Sequence, residues 1–194
     1  MAGATAQFRE DLIAMLSRLK RFALVLSRSH SDADDLLQAT CERALVRHVQ
    51  FKPGSRMDSW LFSIMHSIWK NEVRQRATHQ RVHHTLSLED RYEDGVRTVT
   101  GKISLAEVLS LLNDIEPDQA AALSLVGLDG HSYREAAKVL DIPQGTLESR
   151  IARGRIALGR MLDDTEDQTD ALAVAHRDAV PTINNGKHAK RTLQ

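Results

Sequence analysis

The sequence predicts an all-α fold of two small helical domains joined by a flexible linker. Large apolar residues recur three and four positions apart along most of the chain, which is the period of an amphipathic helix and not the alternation of a strand. This period fades in the polar stretch THQRVHHTLSLEDRYEDGVRTVTG. With 194 residues, 42% of them hydrophobic, the chain can supply two cores of roughly 70 residues each. We therefore assign 6–80 to a first domain, 81–101 to the linker, 102–163 to a second domain, and 164–194 to a disordered tail, with a loose helix over 171–179 as the alternative.

Three helices are expected in the first domain. The apolar stripe of the first covers about 6–28. The second begins near Ser31, whose hydroxyl is placed to cap it. A loop follows at FKPGS, because proline and glycine interrupt helical patterns. Asp58 can cap the third helix, which we expect to end near Arg76.

The second domain carries a helix-turn-helix pattern. Helical spacing resumes at Leu105, and Pro117 suits the first turn of another helix. Ser132 and Glu135 then form a capping box at the start of a short helix. After the turn DIPQ, a longer helix is expected over about 143–161. A short helix, a tight turn and a longer helix in this order are typical of DNA-binding proteins.

The longer helix presents a basic face. At about 100 degrees per residue, its apolar side contains Leu147, Ile151, Gly154 and Leu158. Four arginines and one glutamate lie between 145 and 160, although the whole chain has 26 basic and 26 acidic residues. A second basic stretch occupies 66–81, and five acids between 163 and 170 offset the two. A basic helix face is often only solvated, but after a capped helix and a proline turn it favours contact with phosphates and base edges.

Other classes of protein find little support in the sequence. A single cysteine, Cys41, excludes an intramolecular disulfide and a cysteine-based zinc site, and is typical of a reducing cytoplasm. No signal peptide is recognisable, and no apolar run approaches the roughly 18 residues of a membrane helix. We therefore expect a soluble cytoplasmic protein without membrane contact of its own.

A metal-dependent hydrolase is the alternative from the enzyme class. His79, His83 and His84 are spaced as chelating residues on a helix would be, but no third kind of ligand or supporting shell accompanies them. A polar linker explains them equally well. The sequence also lacks a glycine-rich phosphate loop and a nucleophile elbow. We expect no enzyme activity, no cofactor and no metal.

Three blocks of the sequence together resemble the extracytoplasmic-function sigma factors, small promoter-specificity subunits of bacterial RNA polymerase. They are ADDLLQAT at 33–40, the segment 51–76 and SYREAAKVLDIPQGTLESRIARGR at 132–155. The resemblance implies a region 2-like helical bundle for the minus-10 promoter element and a region 4-like helix-turn-helix for the minus-35 element. It also implies three partners: core RNA polymerase, promoter DNA and an anti-sigma factor.

The resemblance assigns residues to each partner. The residues expected to bind core polymerase are Asp34, Asp35, Gln38 and Glu42. The residues expected at the minus-10 element, where the loop 50–58 would capture a flipped base, are Lys52, Ser55, Arg56, Lys70, Arg74 and Arg76. The residues expected at the minus-35 element are Thr146, Glu148, Ser149, Arg150, Arg153 and Arg155. We interpret Trp60 as a core residue, while Trp69 is open to a core or a stacking role.

Two positions depart from the family pattern. Glu148 replaces the usual lysine or arginine, so that a phosphate contact is missing or the carboxylate accepts from cytosine. His66 and Ser67 replace the usual arginine and asparagine.

Two further functions stay open: a helix-turn-helix regulator that binds operator DNA without polymerase, and a sigma mimic that sequesters an anti-sigma factor.

Overall fold

A computed structural model describes residues 2–52, 54–82 and 105–178, and the side chains of 6–52, 54–78 and 107–162. Within these ranges the chain is helical and contains no strand, which confirms the all-α prediction. A 3₁₀ turn at His48–Gln50 follows the second helix, and a π-helical segment at Ser124–Leu128 follows the fifth. The α-helices of the described ranges are α1 Ala2–Ser27, α2 His30–Val46, α3 Met57–Val82, α4 Leu105–Asn113, α5 Pro117–Leu123, α6 Tyr133–Val139 and α7 Gln144–Asp178.

Local capping signals are confirmed in the helix-turn-helix and wrong in the first part of the chain. The capping box of Ser132 and Glu135 is formed, and Pro117 occupies the first turn of α5. Ser29, and not Ser31, caps α2, because its side chain accepts the backbone N–H of Asp32. Asp58 lies inside the first turn of α3 and does not precede it.

Two helices are longer than expected. The third continues to Val82 and not to Arg76. The last reaches Asp178, so that the helix continues through 164–178 and includes most of the alternative helix expected over 171–179. Most of the predicted linker, 83–101, the first three residues of the predicted second domain, 102–104, and the end of the chain, 179–194, lie outside the described residues.

The first three helices pack on one another around large apolar side chains. Phe22 on α1 and Phe62 on α3 are both fully buried, and their rings meet edge to face with centroids 5.0 Å apart. Such aromatic pairs contribute beyond the area that they bury. Thr40 is also buried, and its hydroxyl donates to the carbonyl of Leu36 one turn earlier. This packing fixes the positions of α2 and α3, whose outer faces carry the predicted binding residues.

The helix-turn-helix has its own close contacts. Leu147 and Ile151 of α7 are buried as predicted. At Gly154 an added Cβ would lie only 2.6 Å from Cδ1 of Leu123 on α5, so glycine allows the two helices to approach. Asp141, in the turn between α6 and α7, has a φ of 52°, a conformation that aspartate tolerates better than most residues.

Residues 1–158 form one compact unit and 159–194 a second. Within the first unit the N-terminal segment, residues 2–82, contacts the C-terminal segment, residues 105–158. Helix α1 packs against α4 and α5, and α3 packs against α6. The division into two domains that fold separately stays a prediction.

Candidate nucleic-acid interface

The four residues expected to bind polymerase share one face of α2. All four are exposed, and their spacing brings them to the same side of the helix. Gln38 Nε2 donates to Glu42 Oε1 at 2.9 Å, and Asp34 pairs with Lys20 of α1. The helix therefore presents an acidic strip to solvent, formed by Asp34, Asp35, Gln38 and Glu42.

The loop before α3 is closed by local hydrogen bonds. The backbone N–H and the hydroxyl of Ser55 both donate to the carbonyl of Lys52, at 3.1 and 2.6 Å. Gly54, with a φ of 82°, supplies the left-handed conformation that this turn needs. Lys52 and Ser55 remain exposed, so both are accessible to a nucleic acid.

Arg56 is fully engaged by two carboxylates. Its Nε and one NH group donate to Asp58 at 3.0 and 2.7 Å, and its other NH group lies 3.1 Å from both oxygens of Glu135 on α6. The hydrogen bond with Asp58 raises the pKa of Arg56 above its ordinary value. Burial alone would raise the pKa of Asp58, but the hydrogen bonds from Arg56 and from the N–H of Ser59 lower it well below its usual range. This predicted DNA-binding residue is therefore ion-paired across the two segments.

The basic residues on α3 differ in their surroundings. Lys70 Nζ lies 3.9 Å from Asp141 of the C-terminal segment. Arg76 donates to Asp32 of α2 at 2.8 Å, and its guanidinium lies 5.6 Å from the centre of the Trp69 ring. Arg74 is exposed. All three lie on the outer part of the helix, as backbone contacts to DNA would require.

Two arginines that the sequence analysis missed line a pocket beside the predicted capture loop. Arg43 and Arg47, four positions apart, border a cavity of about 230 Å³ with Trp60, Ser63, Ile64 and Ser67. Trp60 also packs against the rings of Phe8 and Phe51, so it is partly a core residue as predicted. The spacing of the two arginines places them on one helical face and was a signal in the sequence.

The outer face of α7 carries the residues predicted for the minus-35 element. Arg153 and Arg155 are exposed, and Arg153 bonds only to Ser149 of its own helix, to the carbonyl and hydroxyl at 3.3 Å, among the described residues. Arg150 instead pairs with Asp118 of α5 at 2.5 Å. Glu148 accepts from Gln144 at 2.9 Å, and Thr146 is partly exposed. The outer face of the helix therefore exposes the guanidinium groups of Arg153 and Arg155, whereas Arg150 is paired with Asp118 of α5.

The partly buried His66 and the buried His131 lie where the segments meet. Burial and the nearby charge of Lys70 lower the pKa of His66 to about 4. His131 has no exposed side-chain surface, and burial lowers its pKa as well. Its Nε2 lies 3.0 Å from the hydroxyl of Ser59. His66 stands where the family usually has arginine. Because its pKa is lowered, it places a mainly neutral ring where the N-terminal and C-terminal segments meet.

The described residues contain neither a metal-binding cluster nor a membrane-spanning helix. Among the residues whose side chains are described, no group of three histidines, cysteines or carboxylates is arranged to hold a metal ion. His79, His83 and His84 fall outside that set. No helix in the described ranges is long and apolar enough to cross a membrane.

Comparison with known proteins identifies the family. Residues 105–158 match the family described as sigma-70, region 4, and residues 12–66 match the sigma2 domain of PhyR. The chain is 33% identical over 171 residues to the ECF RNA polymerase sigma factor EcfG of Rhodopseudomonas palustris, covering 84% of this chain and 90% of that protein. The chain belongs to the ECF family of RNA polymerase sigma factors. It is also 33% identical over 145 residues to the ECF sigma factor SigM of Mycobacterium tuberculosis, covering 75% of this chain and 71% of that protein.

A solved sigma-factor structure has the same fold. The sigma factor RpoE of Bartonella quintana, crystallised with the anti-sigma factor NepR, is 30% identical to this chain. The similarity covers 81% of this chain and 97% of that one, with a TM-score of 0.70. The two-domain all-α architecture expected from the sequence is therefore confirmed for this member of the ECF family.

Proposed function

We propose that this ECF sigma factor directs core RNA polymerase to a specific set of promoters and initiates transcription there. The observation that carries this proposal is the identity to EcfG, which extends through both the region with α1–α3 and the region with the helix-turn-helix. A protein that needed only one DNA-binding module would not require both regions. The chain contributes recognition, and the chemical step belongs to the polymerase.

Two basic surfaces support the contacts with promoter DNA. On α3 and its preceding loop, Lys52, Arg56, Lys70 and Arg74 would bind the minus-10 backbone and fix its register. The nearby pocket with Arg43 and Arg47 would add positive charge and an aromatic wall for an unstacked base. On α7, Arg153 and Arg155 would enter the minus-35 major groove.

The acidic strip of α2 is proposed to bind polymerase. Its carboxylates and amide project to solvent from a helix that is fixed by α1 and α3. Charge reversal at Asp35, for example Asp35→Lys, should therefore weaken assembly with core polymerase without unfolding the chain. Native electrophoresis with purified core enzyme measures this assembly.

Regulation by an anti-sigma factor is part of the proposal. The Bartonella quintana sigma factor of the same fold was crystallised with such a partner. We expect an anti-sigma protein from the same organism as this chain to block its assembly with polymerase, and competition for core enzyme tests this directly.

Run-off transcription is the decisive experiment. Purified chain and core polymerase are incubated with genomic fragments, and the products are compared with those of the Arg153→Ala variant. We expect transcription to start only when both proteins are present. The Arg153→Ala substitution should weaken initiation at promoters that depend on the upstream element. Arg9→Ala, at an exposed arginine of α1 outside both predicted DNA-binding sets, is the matched control.

Two other outcomes would favour the alternatives. Tight binding of duplex promoter DNA by the chain alone would indicate a regulator that works without polymerase. The match of 12–66 to the sigma2 domain of PhyR gives some support to a sigma mimic. A chain that binds an anti-sigma factor but never initiates transcription would favour that function.

A further inference from the structure

We propose that a buried ionic latch between the two segments keeps two residues of the predicted minus-10 surface, Arg56 and Lys70, from contacting DNA in the free chain. The proposal rests on the sigma-factor function proposed above. The latch consists of Arg18 on α1, Asp58 in the first turn of α3 and Asp129 in the loop before α6. It must open before Arg56 and Lys70 can contact a promoter.

Arg18 joins the two segments through Asp129, which lies 111 positions away in the sequence. Its Nε donates to Oδ1 of Asp129 at 2.9 Å, and an NH group donates to the Asp129 carbonyl at 3.1 Å. The same NH group lies 3.3 Å from Oδ2 of Asp58. The side chain of Asp129 is only 1% exposed, and Arg21 approaches it at 3.6 Å. A buried carboxylate needs such partners, because an unpaired charge in the interior is costly.

The loop that carries Asp129 is inserted between α1 and α3. Two positions later, the His131 side chain bonds to Ser59 of α3, and its ring lies 5.5 Å from the ring of Phe62. The guanidinium of Arg18 lies 5.7 Å from the centre of the same Phe62 ring. The latch is thus part of a polar and aromatic cluster that fixes α6 against α3.

The closed form occupies two residues of the predicted minus-10 surface. The guanidinium of Arg56 donates its N–H groups to Asp58 and Glu135, and Lys70 lies 3.9 Å from Asp141. Glu135 and Asp141 belong to the C-terminal segment, and their negative charge would also repel the phosphates of a promoter strand. Contact of Arg56 and Lys70 with DNA therefore requires the C-terminal segment to leave α3.

The latch is suited to opening because its hydrogen bonds are incomplete. Among the described residues, neither Oδ2 of Asp129 nor Nδ1 of His131 has a hydrogen-bond partner, although both atoms are buried. A partly satisfied polar network specifies an arrangement more than it stabilises it. A partner with higher affinity for the open form, such as core polymerase, can shift this equilibrium.

The test compares full-length variants without polymerase. Asp129→Asn and Arg18→Gln each remove one charge of the latch. Lys20→Gln is the matched control, because Lys20 has a similar exposed fraction to Arg18, 27% against 30%, but pairs with Asp34 inside the N-terminal segment. Small-angle scattering gives the radius of gyration, and fluorescence anisotropy gives the affinity for a short mixed-sequence DNA single strand. Circular dichroism checks that each variant keeps its helical content.

Both latch variants should expand and should bind the single strand at least about tenfold more tightly than the wild type. The control should match the wild type in both measurements. An unchanged radius of gyration, or expansion without a gain in affinity, would overturn the proposal. If Asp129→Asn loses its helical content, Arg18→Gln decides by the same criteria. Because no polymerase is present, a chain that fails in run-off transcription but shows this gain would overturn only the proposed function.

Discussion

One NH group of Arg56 lies 3.1 Å from both carboxylate oxygens of Glu135, 79 positions away. Glu135 simultaneously accepts the backbone N–H of Ser132 at 2.9 Å, which lowers its pKa to about 2. One carboxylate thus completes the cap of α6 and accepts hydrogen bonds from Arg56, a residue predicted to bind DNA. The start of the helix-turn-helix is therefore joined to the predicted minus-10 surface through the side chain of Glu135.

Substitutions at Glu135 should separate its two roles. Glutamine can still complete a capping box but carries no charge, whereas alanine does neither. We expect Glu135→Ala to lower the melting temperature clearly and Glu135→Gln to lower it little. Both should free Arg56 and increase the affinity for single-stranded DNA. Equal melting temperatures for the two variants would contradict a role in capping.

Arg153 should contribute to promoter recognition through α7. Arg153→Ala removes an exposed donor from the predicted groove-facing side, and the loss should be about 1–3 kcal/mol of binding free energy if the contact is to a base edge. Electrophoretic mobility shifts with reconstituted holoenzyme measure it at several salt concentrations. A uniform loss with a reduced salt slope would instead assign Arg153 to a phosphate.

Gly154 should be needed for the packing of α7 on α5. Gly154→Ala places a methyl group 2.6 Å from Cδ1 of Leu123 and 3.3 Å from Cβ of Gln119. We expect a loss of about 1–3 kcal/mol in the free energy of unfolding, measured with urea. Gly159→Ala, on the same helix with no atom within 4 Å of the added Cβ, is the control and should be neutral or slightly stabilising.

Stability should fall on mild acidification because the pKa values of His66 and His131 are lowered in the folded chain. The pKa of His66 is about 4 in the folded chain against an ordinary 6.5. Between these values the unfolded chain binds a proton that the folded chain does not, so the free energy of unfolding decreases as the pH falls from 6.5 towards 4. The loss from His66 should be on the order of 1–3 kcal/mol. His131, whose pKa is also lowered, adds to it in the same direction.

His66→Gln tests this pH dependence. Urea unfolding at a series of pH values should show a smaller decrease for the variant than for the wild type, with His48→Gln as a control outside the junction. The lowered pKa of Glu135 acts in a separate window, because its contribution is lost only as the pH falls from 4.5 towards 2. An identical decrease in wild type and His66→Gln would show that the pKa of His66 is the same in the folded and unfolded chains.

The sequence by itself determined the helices and the family. Apolar spacing placed all the main helices, and the box of Ser132 and Glu135 marked the start of α6 correctly, because periodicity and capping act within one or two turns. It misplaced the cap of α2, where Ser29 and Ser31 are both suitable residues two positions apart. It also ended α7 too early, because polar residues without a stripe can still continue a helix that has already begun.

Only the tertiary structure decided which of the predicted site residues are free. Arg153 and Arg155 were predicted alongside Arg150 and Arg56, yet of these four only Arg150 and Arg56 are paired with carboxylates, those of Asp118 and Glu135, among the described residues. These pairs join residues 32 and 79 positions apart. No local period encodes them, because they depend on how α5 and α6 pack against the rest of the chain. The sequence supplied the charges, and the packing of helices determined the charge that each one meets.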